Sequence, residues 1–312
     1  MNRGKDMAPT LVAEPRAYGS QLAVERHLPH RAGEFSNVPG ARAFIGTQGW
    51  SFESWAGILY PKGLPATERL ARYSRTFNGV EVNTTFHAVP PASIVRNWRS
   101  STPDGFKFSL KMPRAITHER RLRDPEPELS NFLNVAVELG EKLGAILVQL
   151  PPSFGAADLP ALDGFLQSLP VREMRFCVEV RQRALRAPGV RDLLRRRGAG
   201  FVSTNLTSEP GDLEVVTGMT YLRLIGPRQV PDQSTATPCE LDSEEFQRQA
   251  GSWAAAMLLV ASSGMAAPFC FAANNFFGPG FLPAAYLMKQ LGMPVELPSG
   301  SLLDMPVQGA LL

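Results

Sequence analysis

The chain has 312 residues, 44% of them hydrophobic and 20% charged, with a formal net charge of +3. That composition suits a soluble globular protein with a sizeable core, and the charge is too mild to imply nucleic-acid binding by itself. Three cysteines (Cys177, Cys239 and Cys270) form no CxxC pair, and only four histidines occur, so neither a disulfide framework nor a His-rich metal centre is signalled.

Residues 1–42 lack the apolar core of a secretory signal, and their acids, Asp6, Glu14, Glu25 and Glu34, do not suit a transit peptide. They read as a flexible leader, and the cytoplasm is the default address. From Ala43 onward, short β-type runs alternate with helix-type runs. The strand candidates are 43–49, 79–86, 106–112, 145–151, 175–181, 200–205, 220–226 and 268–275, rich in β-branched or aromatic residues and bounded by Gly, Pro or Asn. Between them lie helical stretches such as ATERLARYSRTF, PASIVRNWRSS, ELSNFLNVAVELGEKL and PGVRDLLRRRG. Pro91 and Pro188 suit helix starts, and Gly144 and Gly198 suit helix ends.

The segment after the sixth strand, EPGDLEVVTG, is too short for a full helix. The long apolar stretch AAAMLLVASSGMAAPF is broken by Ser, Gly and Pro and is no membrane span. Residues 293–312 lack sustained periodicity and read as a surface tail. Eight strands alternating with helices predict one (β/α)8 TIM-type barrel over residues 43–292, with the sixth helix short or irregular. No GxGxxG or GxxxxGK follows the first strand, which argues against a dinucleotide-binding sheet.

Four charges sit inside apolar strand runs: Glu81 in GVEVNTTF, Lys111 in FKFSLKMP, and Glu179 and Arg181 in RFCVEVRQ. Successive strand side chains point to opposite faces, so Glu81 and Asn83 share one face while Val80 and Val82 share the other. The same alternation places Gly46 and Gln48, Gln149, and Tyr221 and Arg223 inward. Buried charges need mutual pairing or a ligand, so these positions mark a site at the strand C-termini. The candidate catalytic residues are Glu81, Glu179 and Lys111. The candidate ligand-binding residues are Gln48, Trp50, Asn83, Arg114, His118, Gln149, Arg181, Asn205, Arg223 and Asn274.

These residues also carry a resemblance. The blocks IGTQGWSFESWAGILYP, VEVNTTFH, FKFSLKMPRAITHERRL, ILVQLPPSF and VEVR, with Asn274–Asn275, follow in the order found in the DUF72 (YecE-like) family. The resemblance implies a barrel with a pocket at the strand C-termini and implies no known reaction. It also exposes departures. Gln182 and Ile225 stand where family members carry histidines, Asn205 where they often carry Asp, and His87 where they carry tyrosine.

Glu81 and Glu179 suit a general acid and general base, because neighbours can separate two carboxylate pKa values. The alternative is a structural network pairing Glu81 with Lys111 and Glu179 with Arg223. Lys111 is a Schiff-base candidate, a fixed charge for an anion, or a partner for Glu81. The cationic stretch from Lys111 to Arg123 suits an anionic ligand, against a solvated loop balanced by Glu119, Asp124, Glu126 and Glu128. Trp50, Phe52, Trp55 and Phe86 could stack on a ligand or pack the loop core.

The expectation is an enzyme acting on a small polar or anionic substrate by acid–base chemistry, with no metal and no cofactor. Two rivals follow: a catalytically decayed barrel that binds a small ligand or partner, and nucleic-acid binding through the basic loop. The second rival is disfavoured by the small net charge.

Overall fold

A computed structural model of the chain describes residues 43–226, 240–264 and 267–297. Eight parallel strands are present: β1 (Phe44–Thr47), β2 (Gly79–Val82), β3 (Lys107–Lys111), β4 (Leu143–Gln149), β5 (Phe176–Glu179), β6 (Gly200–Thr204), β7 (Tyr221–Leu224) and β8 (Phe269–Ala272). They form one sheet in the order β1-β8-β7-β6-β5-β4-β3-β2. Seven strand candidates contain one of them, trimmed at one or both ends, and β4 begins two residues before its candidate, at Leu143. The helices α1 (Ala66–Tyr73), α2 (Ala92–Ser100), α3 (Glu128–Ala136), α4 (Leu159–Ser168), α5 (Pro188–Arg196), α6 (Glu244–Ser262) and α7 (Phe281–Gln290) fall between and after the strands. The fold is a (β/α)8 TIM-type barrel.

The β1–β2 seam is closed largely by side chains. The Asn78 amide accepts from Ile45 N–H at 2.8 Å and donates to the Ala43 carbonyl at 2.8 Å. The Tyr73 hydroxyl, sent in from α1, accepts from Thr47 N–H at 2.8 Å and donates to the Gly79 carbonyl at 3.1 Å. A backbone bridge between Gln48 and Glu81 completes the ring at the mouth. Gly46 therefore faces the seam: a Cβ there would lie 1.9 Å from the Gly79 carbonyl oxygen and 2.5 Å from the Tyr73 hydroxyl.

Two apolar regions result. The larger lies between sheet and helices, and includes Trp55, Phe77, Phe108, Phe165, Phe201 and Trp253. The smaller fills the lower lumen with Phe44, Leu147, Cys177, Val202, Tyr221, Phe269 and Phe271. Gly144 belongs to the lower barrel and not to a helix end: it lies within β4, where a Cβ would meet the Phe269 ring at 2.8 Å. The turn after α3 is made instead at Gly140, whose φ of 55° suits glycine. Gly198, with φ of 70°, does end α5 as its position implied.

No helix replaces the weak sixth repeat. Residues 205–220 run as turns, pinned by Arg186 and Arg191, which both pair with Glu214. The tail is irregular over residues 293–297, where Thr76 Oγ1 donates to the Glu296 carbonyl at 2.8 Å. No helix among the described residues is long and apolar enough to cross a membrane. The leader, Cys239 and residues 298–312 lie outside the described residues.

Candidate functional site at the barrel mouth

Above the apolar floor, strands β1, β2, β4, β5 and β7 send polar side chains into the lumen. Arg223 is the hub. Its guanidinium reaches Glu81 through Nε at 2.9 Å and Nη2 at 2.7 Å, Glu179 through Nη1 at 2.5 Å, and the Gln48 side-chain oxygen through Nη2 at 3.0 Å. Glu81 also accepts from the Tyr221 hydroxyl at 2.8 Å, and Glu179 from Gln149 Nε2 at 3.1 Å. Arg181 pairs with Glu179 at 2.8 Å. Glu81 and Glu179 have no solvent exposure and Arg223 has 2%. Charges taken so far out of water persist because each carboxylate has several donors.

Of the structural network weighed as the alternative, the Glu179–Arg223 pair forms and the Glu81–Lys111 pair does not. Glu81 is taken by Arg223 and Tyr221, from a strand 142 positions along the chain. Burial works to raise the Glu179 pKa, but the charges of Arg223 and Arg181 outweigh it and hold the carboxyl below its usual value. The same carboxylates overcome the effect of burial on Arg223 and push its pKa further upward. Burial, reinforced by the negative charge of Glu81, keeps the Tyr221 phenol protonated.

Lys111 ends β3 on the inward face, and no carboxylate lies within ion-pair distance of it among the described residues. Its ammonium sits 4.0 Å from the centroid of the Phe86 ring, a cation–π contact. Burial and the positive charge of Arg223 lower its pKa to about 8, against the opposing pull of Glu81 and Glu179. His118, on a π-helical turn over Ala115–Glu119, packs edge-on against Phe86 at 5.0 Å. Burial, with the charges of Lys111 and Arg114, lowers the His118 pKa to about 4, so its ring is neutral near pH 7.

The remaining candidates divide. Asn83 follows β2, and its side-chain oxygen is buried without a hydrogen-bond partner. Trp50 packs edge-on against Trp98 at 5.5 Å, and Phe52 lies 4.6 Å from the fully buried Trp55, so the strand-one aromatics form loop core. Asn274 uses its oxygen on Trp55 Nε1 at 2.6 Å and Gly280 N–H at 3.2 Å, locking the turn out of β8. Arg114 points outward, paired with Glu119 at 3.2 Å, both side chains about three-fifths exposed. The rest of the basic stretch is balanced: Arg120 holds Glu128, while Arg121 and Arg123 share Asp158. Asp158 was not anticipated, because it belongs to the next βα loop. Tyr221 was placed inward by alternation, but only its contact with Glu81 reveals its role.

The sequence profile of the family described as "Protein of unknown function DUF72" matches residues 44–304. The chain belongs to DUF72. Among curated DUF72-like relatives, UPF0759 protein YecE of Escherichia coli K12 is 37% identical over 155 residues, which is 50% of this chain and 54% of that protein. UPF0759 protein YunF of Bacillus subtilis is 29% identical over 117 residues, 36% of this chain and 40% of that protein. The chain thus spans about half the length of the curated relatives it matches.

In fold, it is similar to a DUF72 family protein from Thermotoga maritima, with TM-score 0.66, 24% identity, and coverage of 80% of this chain and 99% of the other. A second DUF72 structure, from Enterococcus faecalis, gives TM-score 0.63 at 18% identity, covering 84% and 100%. The positions read as departures from DUF72 have structural partners. Asn205 clips the backbone of Ile225, donating to its carbonyl at 2.9 Å and accepting from its N–H at 2.8 Å. An aspartate could accept from that N–H but could not donate to the carbonyl. Gln182 donates to the Pro152 carbonyl at 2.9 Å.

Proposed function

We propose that this DUF72 barrel is an enzyme that holds a small anionic molecule at the β3 side of its mouth and exchanges protons with it. The carrying observation is Lys111: an amine at the lumen rim with no ion pair among the described residues, beside two guanidiniums whose carboxylates are already taken. Among the described residues Lys111 has no carboxylate partner, so its positive charge is available to an anion. A group titrating near pH 8 is present in both protonation states at physiological pH, as proton transfer requires. Glu81 and Glu179 then serve by fixing Arg223 and Arg181, and Gln48 and Gln149 by completing their hydrogen bonds.

Titration calorimetry with inorganic phosphate and a set of small carboxylates tests this reading. Binding is expected to weaken as pH rises through about 8, because Lys111 loses its charge there. Lys111→Met is expected to lower affinity at least tenfold. Equal binding by the variant would remove the site.

A second reading, a barrel that binds without turnover, is favoured by Asn205 and Ile225, which leave no titrating group where DUF72 relatives were expected to carry one. A ligand recovered chemically unchanged after prolonged incubation, with new turnover in the Asn205→Asp/Ile225→His double variant, supports that reading. Nucleic-acid binding has least support, since the loop arginines are paired with acids.

A further inference from the structure

Phe86, on the short helical turn Thr84–Phe86 after β2, gathers two groups of opposite hydrogen-bonding character at the mouth. Lys111 places its ammonium over the ring face at 4.0 Å, and His118 meets the same ring edge-on at 5.0 Å between centroids. Neither side chain is fully buried, so a small ligand can reach both. Two other partly buried lysines are already occupied. Lys107 Nζ donates to the Glu141 carbonyl at 2.6 Å, and Lys142 Nζ to the Arg99 and Thr102 carbonyls at 2.7 Å and 2.6 Å. Lys111 has no such acceptor among the described residues, and the ring face favours its charged form.

His118 supplies the complementary group. The buried Thr117 donates its single hydroxyl hydrogen to the Pro113 carbonyl at 3.1 Å, so its oxygen accepts from His118 Nδ1 at 2.9 Å. Nδ1 therefore carries the imidazole proton, and Nε2 keeps its lone pair. Burial and the charges of Lys111, Arg114 and Arg181 hold the ring neutral near pH 7. The same three charges would repel a ligand ammonium at that point, so the donor that suits Nε2 is uncharged. One ammonium at Lys111 balances one negative charge, which is what a carboxylate carries.

We propose that the mouth selects a small hydroxy acid, its carboxylate pairing with the Lys111 ammonium and its hydroxyl donating to His118 Nε2. This deepens the anion site proposed above and rests on it, adding a second point of contact that names the ligand class. Arg181 and Arg223 keep their own carboxylates throughout. Phe86, packed against both side chains, sets the spacing between charge and acceptor.

The test compares lactate and 3-hydroxypropionate with propionate, pyruvate and alanine, by ligand-observed NMR titration of the full chain near pH 7. At least one of the two hydroxy acids is expected to bind about fivefold or more tightly than propionate, as one added hydrogen bond allows. Pyruvate and alanine should gain nothing over propionate. Lys111→Met should weaken every carboxylate at least about tenfold. His118→Phe keeps a ring against Phe86 and removes the acceptor; it should bring the hydroxy acids down to propionate and leave propionate within about twofold. Propionate binding that depends on residue 111, with no gain from either hydroxyl, overturns the hydroxy-acid assignment and leaves the anion site standing. Tighter binding of pyruvate than of lactate would show that Nε2 donates and overturns it equally, as would a hydroxyl preference that survives in His118→Phe. Absence of any binding that depends on Lys111, by these acids or by inorganic phosphate, overturns both proposals together.

Discussion

Lys107 and Lys111 lie on the same strand and the same face, four residues apart, yet they meet opposite ends of one lumen. At the lower end Phe44 stacks on Phe269 at 5.1 Å, the sulfurs of Cys177 and Met219 touch at 3.0 Å, and Lys107 is tied to a backbone carbonyl. At the upper end the side chains are ionic, and among the described residues Lys111 has no hydrogen-bonded partner for its ammonium. The lower end is closed by shape and the upper end by charge. Every polar group in the first arrangement serves the fold, whereas the second retains an amine whose energetic needs the fold does not meet.

Substitutions at the two ends should therefore differ in kind. Arg223→Met would strand Glu81 in the lumen and take one partner from Glu179, and is expected to cost about 3–5 kcal/mol in urea unfolding. Phe269→Ala, at the apolar end, would open a cavity and should cost about as much, roughly 3–5 kcal/mol, with no effect on phosphate affinity. Tyr221→Phe deletes one donor to Glu81 and is expected to cost about 2 kcal/mol. Asn205→Asp removes the donor to the Ile225 carbonyl and should cost about 1 kcal/mol in the same assay.

Lys111→Met is the smallest change in stability and the sharpest contrast. The folded protein holds the Lys111 pKa at about 8, below the ordinary 10.5, so folding disfavours the charged form. Below pH 8 the native state bears that penalty, and between pH 8 and 10.5 the wild type gains stability as the unfolded chain alone keeps the proton. The variant should be as stable as wild type or more so at pH 7, with its advantage fading by about pH 10.5. A variant less stable at pH 7 would show that Lys111 supports the fold and would erase the distinction between the ends.

The order of strands and helices was legible because each barrel unit repeats the same alternation of pattern. The inward register of Gln48, Glu81, Gln149, Glu179 and Arg223 followed from a period of two applied to charges in apolar runs. Partnership was not legible. Alternation says which face a side chain occupies, and only closure of the ring decides that Glu81 meets Arg223 and Tyr221 and not Lys111. The seam was hidden for the same reason: Asn78 and Tyr73 look like ordinary helix-exit and helix residues until β1 and β2 are side by side. The bond from Trp55 to Asn274 was not legible either, because a buried amide holding an indole and an amide reading a ligand have the same sequence signature.

The guanidinium hub also bears on how the chain acquires its shape. Glu81 and Gln48 come from the first half of the ring and Arg223 from the second, so Glu81 meets its hydrogen-bonded counter-charge only when the halves join. A fragment ending after β4 would shelter a carboxylate with no counter-charge from β7. Partly assembled rings are thus penalised, and the barrel should melt as one cooperative unit instead of surviving as two half-barrels.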